Sequence, residues 1–314
     1  MRIDEQAPDE IGGLPPAAPR SSDTEAIREM EPVARSQFEL VFRRFLRHKM
    51  AVFSVFLLLA ITVLCLSASW IAPFGENQQE LLNFNQKPDA EHWFGTDEVG
   101  RDVLSRILYG GQISLKIGVA VALLSTAVGT LLGAIAGYFG GWIDNALMRL
   151  TDLFLVVPSI AVLAIALRKF GNKDITIILI LAAVFWMVIA RVVRGQVLSI
   201  KEKEYVEAAR ASGASNTRII ARHILPNVIG PIVVNATLAV AAAIITESTL
   251  SFLGFGVQPP QTSWGNMLAR GRSYIDADAA HLVYFPGLAI LITVLAINFI
   301  GDGLRDAFDP QSKH

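Results

Sequence analysis

Long apolar runs alternate with short charged stretches along this chain, and that pattern sets the first reading. Uncharged runs occupy 50–75, 117–143, 153–167, 175–190, 224–246 and 279–301. A membrane helix needs roughly 17–25 mostly apolar residues. Four of the six runs meet that outright; 153–167 and 175–190 meet it by borrowing neighbours such as Arg149, Asp152 or Arg191. The pattern therefore predicts an all-α polytopic membrane protein with six transmembrane helices and both termini on one side. Ahead of the first run, Phe38, Val41, Phe42 and Phe45 recur at helical spacing beside Arg43, Arg44, Arg47 and Lys49. This predicts an amphipathic surface helix over Phe38–Met50, with a plain extension of the first span as the alternative. Residues 1–37 carry Pro15, Pro16 and Pro19 and no apolar period, and read as a disordered tail. Ser67-Ala68-Ser69 mimics a leader cleavage site, but a 49-residue n-region is too long for one, so the first run is read as a retained helix.

Several positions inside the runs carry further information. Gly129, Gly133 and Gly137, preceded by Ser125, stand at four-residue spacing, which lines one helix face and predicts close approach of another helix. Asn235, Thr237, Thr246, Glu247 and Asn298 are polar residues in or beside the other spans. Glu247 is read as marking the outer end of the fifth span, the alternative being burial against a neighbouring helix or cavity. Segment 248–269 is uncharged yet holds Gly254, Gly256, Pro259, Pro260 and Gly265, so it is expected to be a structured or re-entrant outer segment rather than a span.

Composition agrees with a membrane protein. Hydrophobic residues make up 53% and charged residues 18% of the 314 residues, with a mean hydropathy of +0.46; ordinary soluble domains carry about 25% charged residues. Most soluble enzyme classes are thereby excluded. The net charge of −1 supplies no basic field, which argues against a nucleic-acid partner. Cys65, the single cysteine, cannot form an internal disulfide and reads as a small apolar core residue. No G-x-x-x-x-G-K-[ST] element is present to hold ATP, no His/Cys cluster has metal-ligand spacing, and no nucleophile–base pair stands out. No catalytic, cofactor-binding or metal-binding residue is therefore assigned.

Lysine and arginine orient the chain. The loops 35–49, 139–152 and 191–222 with the C-terminal tail hold 15 of them, against nine in 72–116, 168–174 and 247–282. Positive loops stay in the cytoplasm, so both termini and the 191–222 loop are expected inside, with Arg101, Arg106 and Lys116 counting against. That loop is the one sizeable polar stretch between spans on the inner side. Ser199–Ala211 is rich in helix formers, Gly213 stands where a left-handed cap belongs, and Ser215 can cap a second short helix that runs up to Pro226. Ala208, Ala209 and Ala211 give this helix–turn–helix a smooth surface ringed by Glu202, Glu207, Arg210 and Arg218, a shape suited to a groove on a cytoplasmic protein.

Glu207-Ala208-Ala209, Gly213 and Leu225-Pro226 resemble the EAA loop of ABC importer permeases, with His223 departing from the family's I-x-L-P element. Three further stretches, His92–Arg106, Ser251–Pro260 and Gly301–Asp306, are similar to elements of dipeptide/oligopeptide/nickel permeases, and the chain from about 38 to 310 resembles their C-type subunit. The resemblance implies a type I ABC importer permease fold with cytoplasmic termini: a tail 1–37, an N-terminal region 38–110, a five-helix permease domain 111–305 containing the coupling loop 191–226, and a short tail 306–314. It further implies a non-catalytic, multi-pass subunit of a bacterial-type cytoplasmic (inner) membrane. Its partners would be a second homologous permease, two cytoplasmic ATPases that carry the ATP and Mg, and an extracytoplasmic solute-binding protein. The implied cargo is a peptide, with nickel chelates, opines or sugars as alternatives. An ion-driven secondary transporter would want buried ionisable residues in its spans, and a membrane anchor would leave the composition of 199–226 without a reason.

Overall fold

The computed structural model describes residues 37–309 apart from 81 and 278. Among the described residues, Val41 to Asp309 clusters as one compact unit. The expected tail therefore lies outside the described residues, except for Gln37, which opens the first helix. Helix α1 (Gln37–Arg47) is separate from α2 (Lys49–Leu66), because His48 breaks the run and its Nδ1 accepts the Ala51 N–H at 3.1 Å. The amphipathic segment is thus a helix of its own rather than an extension of the span. The first span ends at Leu66, nine residues short of the end of its uncharged run, and the single turn α3 (Ala68–Ile71) follows.

Helix α4 (Val103–Phe139) is 37 residues long, about 55 Å at 1.5 Å per residue, against a hydrocarbon core of about 30 Å. It starts 14 residues before the expected second span because Asp102 caps it, the carboxylate accepting both the N–H and the hydroxyl of Ser105 at 2.7 Å. The boundary expected at 110/111 thus falls inside a continuous helix. The expected third span, 153–167, is split. Helix α5 (Gly141–Val156) and α6 (Ser159–Phe170) meet at 89°, since Val157, preceding Pro158, is pushed into the extended region. Five helices are long and apolar enough to cross a membrane, and a sixth crossing is counted if this bent pair is one span.

Helix α7 (Asp174–Ile200) leads into the polar loop, where α8 (Glu204–Ala211) and α9 (Asn216–Ile219) stand. A π turn (Ile220–Ile224) and a 3-10 turn (Leu225–Val228) connect to α10 (Ile229–Phe252). The fifth span therefore sits five to six residues later than 224–246, because Pro226 cannot join an α-helical ladder and Pro231 fits its first turn. Segment 248–269 contains the end of α10, a loop, and most of the short α11 (Trp264–Gly271). Helix α12 (His281–Phe308) closes the fold and extends three residues into the expected C-terminal tail.

The strongest packing is between α4 and α7, with α10 against both, α12 against α10, and α2 against α12. One cluster gathers Ile117, Leu163, Ile177, Leu181 and Leu250; another gathers Ile189, Val193, Val197, Ile224 and Val228. The outward face of α2 (Phe53, Phe56, Leu59, Val63) is exposed, as expected of a surface solvated by lipid tails. The start of α2, the ends of α4, α7 and α12, and the loop 201–228 all collect at one end of the bundle. Gly303 faces Ala51, Gly230 faces Phe308, and Gly137 faces Val197 there. The start of α2 and the end of α12 thus share that end with the loop.

Candidate functional site

Local chemistry shapes the loop. Helix α7 stops at Ile200 and a turn at Lys201–Lys203 separates it from α8, so the continuous helix expected over Ser199–Ala211 is two helices. No breaker explains this. Packing does, because the redirected α8 drives Val206 to complete burial beside Ile219, Ile224 and Val228. Gly213 then sits at φ +82°, its N–H donating to Arg210 O at 3.0 Å, while Ala214 N–H donates to Ala209 O at 3.1 Å. These are the two reciprocal bonds of a Schellman cap. Ser215 Oγ accepts from Arg218 N–H at 3.4 Å to start α9, and the Tyr138 hydroxyl, on α4, donates to Asn216 Oδ1 at 2.8 Å.

The result is a hairpin with one face anchored and one face bare. Glu207, Ala208, Gly213 and Pro226 are exposed, while Ala209 and Leu225 are half-buried. Glu202, Tyr205, Arg210 and Arg218 extend the bare face. The anchoring residues Val206, Ile219, Ile224 and Val228 escaped the sequence reading. Val206 has no aliphatic neighbour and Ile219, Ile224 and Val228 each adjoin another aliphatic, with no helical period across the cap.

Beneath the hairpin the three glycines form the α4–α7 seam. A Cβ at Gly129 would lie 2.7 Å from Trp186 O, at Gly133 2.4 Å from Ala190 O, and at Gly137 2.9 Å from Arg194 O. Only hydrogen fits there. Helix α5 is tied to α7 as well: the Arg194 guanidinium is bidentate on Asp144, with Nη2–Oδ2 at 2.6 Å, and Arg191 pairs with Asp152 while donating to Thr151 Oγ1 at 3.2 Å. The hairpin is thus continuous with α7, which the glycine seam joins to α4 and the arginine pairs join to α5. A cleft of about 460 Å³ opens beside it between α7, α10 and α12, with Gln196, Asn235, Asp302 and Arg305 on its walls.

The opposite end is a polar assembly. Glu247 is fully buried, which corrects its reading as a marker of the helix end. Its Oε1 accepts from Ser251 Oγ at 2.7 Å and Ser263 Oγ at 2.9 Å, fastening the start of α11 to α10. Trp264 donates its indole N–H to Ile107 O at 2.9 Å. Asp97 accepts from Arg101 Nε at 2.7 Å and lies 3.5 Å from Arg106, which donates to Thr262 at 3.0 Å; Glu98 pairs with Arg270 at 3.0 Å. The charges that counted against an outer 72–116 loop are thus largely consumed in buried pairs. Thr237, Thr246 and Asn235 satisfy their polar side chains on carbonyls four residues back.

Comparison with known proteins adds the family. Residues 129–314 match the family described as binding-protein-dependent transport system inner membrane component, and residues 36–88 match the N-terminal TM domain of oligopeptide transport permease C. The chain is similar to the oligopeptide transport system permease protein OppC of Mycobacterium bovis and to that of Mycobacterium tuberculosis. Each is 44% identical over 284 residues, covering 88% of this chain and 96% of the relative. A Brucella suis biovar 1 protein is 43% identical over 283 residues, covering 90% of this chain and 92% of its own length. With both family matches and relatives that align over nearly the whole chain, the protein belongs to the binding-protein-dependent transport system inner membrane component family.

Proposed function

We propose that this chain is one of two permease halves of an ATP-driven importer of oligopeptides in a cytoplasmic membrane, and that the α8–α9 hairpin is its docking element for a cytoplasmic ATPase. The carrying observation is the hairpin itself: an exposed Glu207–Gly213 face on a support anchored by Val206, Ile219 and Ile224 and coupled to α7. The names of the mycobacterial relatives support the peptide cargo. The remaining partners are a second homologous permease, a second ATPase and an extracytoplasmic solute-binding protein. This chain does no chemistry; ATP and Mg belong to the ATPases.

In this mechanism, closure of the ATPase dimer moves the docked hairpins, and the hairpin moves α7 with the helices that its glycine seam and arginine ties hold to it. The bundle then shifts between inward- and outward-facing populations by as much as the ATPase's differential affinity for the two allows. The test is uptake of labelled di- to hexapeptides by a strain lacking this chain and by the same strain with it restored, together with co-purification of an ATPase subunit. Restored uptake and a retained ATPase are expected. No difference in peptide uptake would overturn the cargo, and a complex without an ATPase would overturn the energy source.

A further inference from the structure

Glu80, Glu91 and His92 bring one ligand atom each to within 4.8 Å of one another, and nothing in the transport reading uses them. The imidazole is prepared in a specific way. It is almost fully buried, it stacks on Phe74 at 4.7 Å between ring centroids, and its Nδ1 lies 3.1 Å from Asp102 Oδ1. An ionised Asp102 only accepts, so Nδ1 carries the proton of the neutral ring and Nε2 presents its lone pair. That Nε2 is buried without a hydrogen-bond partner. It points toward Glu80 Oε2 at 3.5 Å, where a lone pair would meet a carboxylate with nothing between them.

We propose that Glu80, Glu91 and His92 form a divalent-cation site of the zinc class, with Asp102 orienting the imidazole from behind. One imidazole nitrogen with two carboxylate oxygens suits a borderline metal such as Zn2+, and a carboxylate on the far ring nitrogen is the usual support for a metal-bound histidine. Bonds of about 2.0–2.1 Å in a tetrahedral shell separate ligand atoms by about 3.4 Å, close to the 3.5 Å already present between Nε2 and Glu80 Oε2. Glu80 Oε2 also accepts from Asn83 Nδ2 at 2.9 Å, which holds it in place, and Glu91 is exposed and free to swing in. Neighbouring Asp89 is not a ligand, since it accepts from Gln86 and from the Glu91 and His92 N–H groups. The bound ion would clasp the segment 80–92 to the capped start of α4 through Asp102. Sequence spacing hides this site, because Glu80 stands 12 residues from His92 and is brought to it by the loop.

The test uses the full-length chain in its assembled transporter, purified without a polyhistidine tag, stripped with chelator and titrated with Zn2+, with bound metal counted by mass spectrometry. The wild type is expected to hold one more equivalent per copy of this chain than Glu80→Gln/Glu91→Gln, and Glu91→Gln alone is expected to weaken that equivalent at least tenfold. Glu91 is exposed, so the single variant keeps the measurement valid if the double variant assembles poorly. Equal zinc affinity and stoichiometry in the wild type and Glu91→Gln would overturn the site and leave Nε2 to a second proton. Since the readout is metal rather than transport, this outcome is independent of the peptide assignment.

Discussion

Gly213 carries the sharpest residue-scale prediction, because its two roles separate cleanly. A Cβ there would meet nothing within 4 Å, so a substitution acts through φ +82° alone. A β-branched residue held in that region costs about 1–3 kcal/mol, whereas asparagine visits it readily. Gly213→Val is expected to leave membrane insertion intact while lowering uptake and substrate-stimulated ATP hydrolysis at least tenfold, and Gly213→Asn is expected to keep both. Wild-type transport in Gly213→Val would remove the hairpin from the coupling mechanism. Glu247 tests the other end. Glu247→Ala removes the acceptor of the Ser251 and Ser263 hydroxyl protons in a buried site, while their oxygens still accept from the Val257 and Asn266 N–H groups, at about 1–3 kcal/mol for each donor left unsatisfied. Glu247→Gln keeps an acceptor oxygen and should be far milder. Thermal unfolding in detergent reads the difference, and equal midpoints for the two variants would mean that the network does not hold α11 in place.

At the scale of elements, the α4–α7 seam decides whether the bundle assembles. Sequence spacing predicted a close-packing face for Gly129, Gly133 and Gly137, and the tertiary structure identifies the partner as α7 and the opposing atoms as main-chain oxygens. Backbone cannot retreat as a flexible side chain can, so even Gly133→Ala forces the helices apart. Overpacking of this kind costs about 1–3 kcal/mol, and Gly133→Leu should exceed it. Alanine is expected to reduce the yield of assembled complex measurably and leucine to abolish it, while Gly195→Ala, with open space at its Cβ, should leave it unchanged. Normal assembly of Gly133→Leu would show that the helices can part without cost. The split of the expected third span belongs to the same scale. Val157-Pro158 is a local breaker visible in the chain, but the uncharged run 153–167 passes through it, and hydropathy averaging cannot register a backbone restriction.

For the whole molecule, the shared end of the loop 201–228, the start of α2 and the end of α12 makes a single sidedness prediction. Glu202 and Trp93 are both exposed and lie at opposite ends. In a Cys65→Ser background, a membrane-impermeant thiol reagent on intact cells is expected to label Trp93→Cys and to spare Glu202→Cys until the membrane is opened. The reverse pattern would invert the topology. The three outer-side cations that count against this orientation are paired in the fold, Arg101 with Asp97 and Glu98, Arg106 with Asp97, and Lys116 with Asp174 at 3.0 Å.

The features legible in the sequence were those whose physics is local. A helix in lipid must be apolar over its own length, a glycine face needs only a four-residue repeat, and the Gly213 and Ser215 caps act within one turn. Five of the six spans, the close-packing glycine face and the outline of the hairpin were therefore determined by the chain alone. The anchoring of the hairpin by Val206, Ile219 and Ile224, the burial of Glu247 under α11, and the meeting of Glu80 with His92 were decided only by the tertiary structure. Each joins residues whose proximity depends on how helices end and turn back, and hydrophobic burial and charge desolvation act on that final arrangement rather than on any window of the sequence.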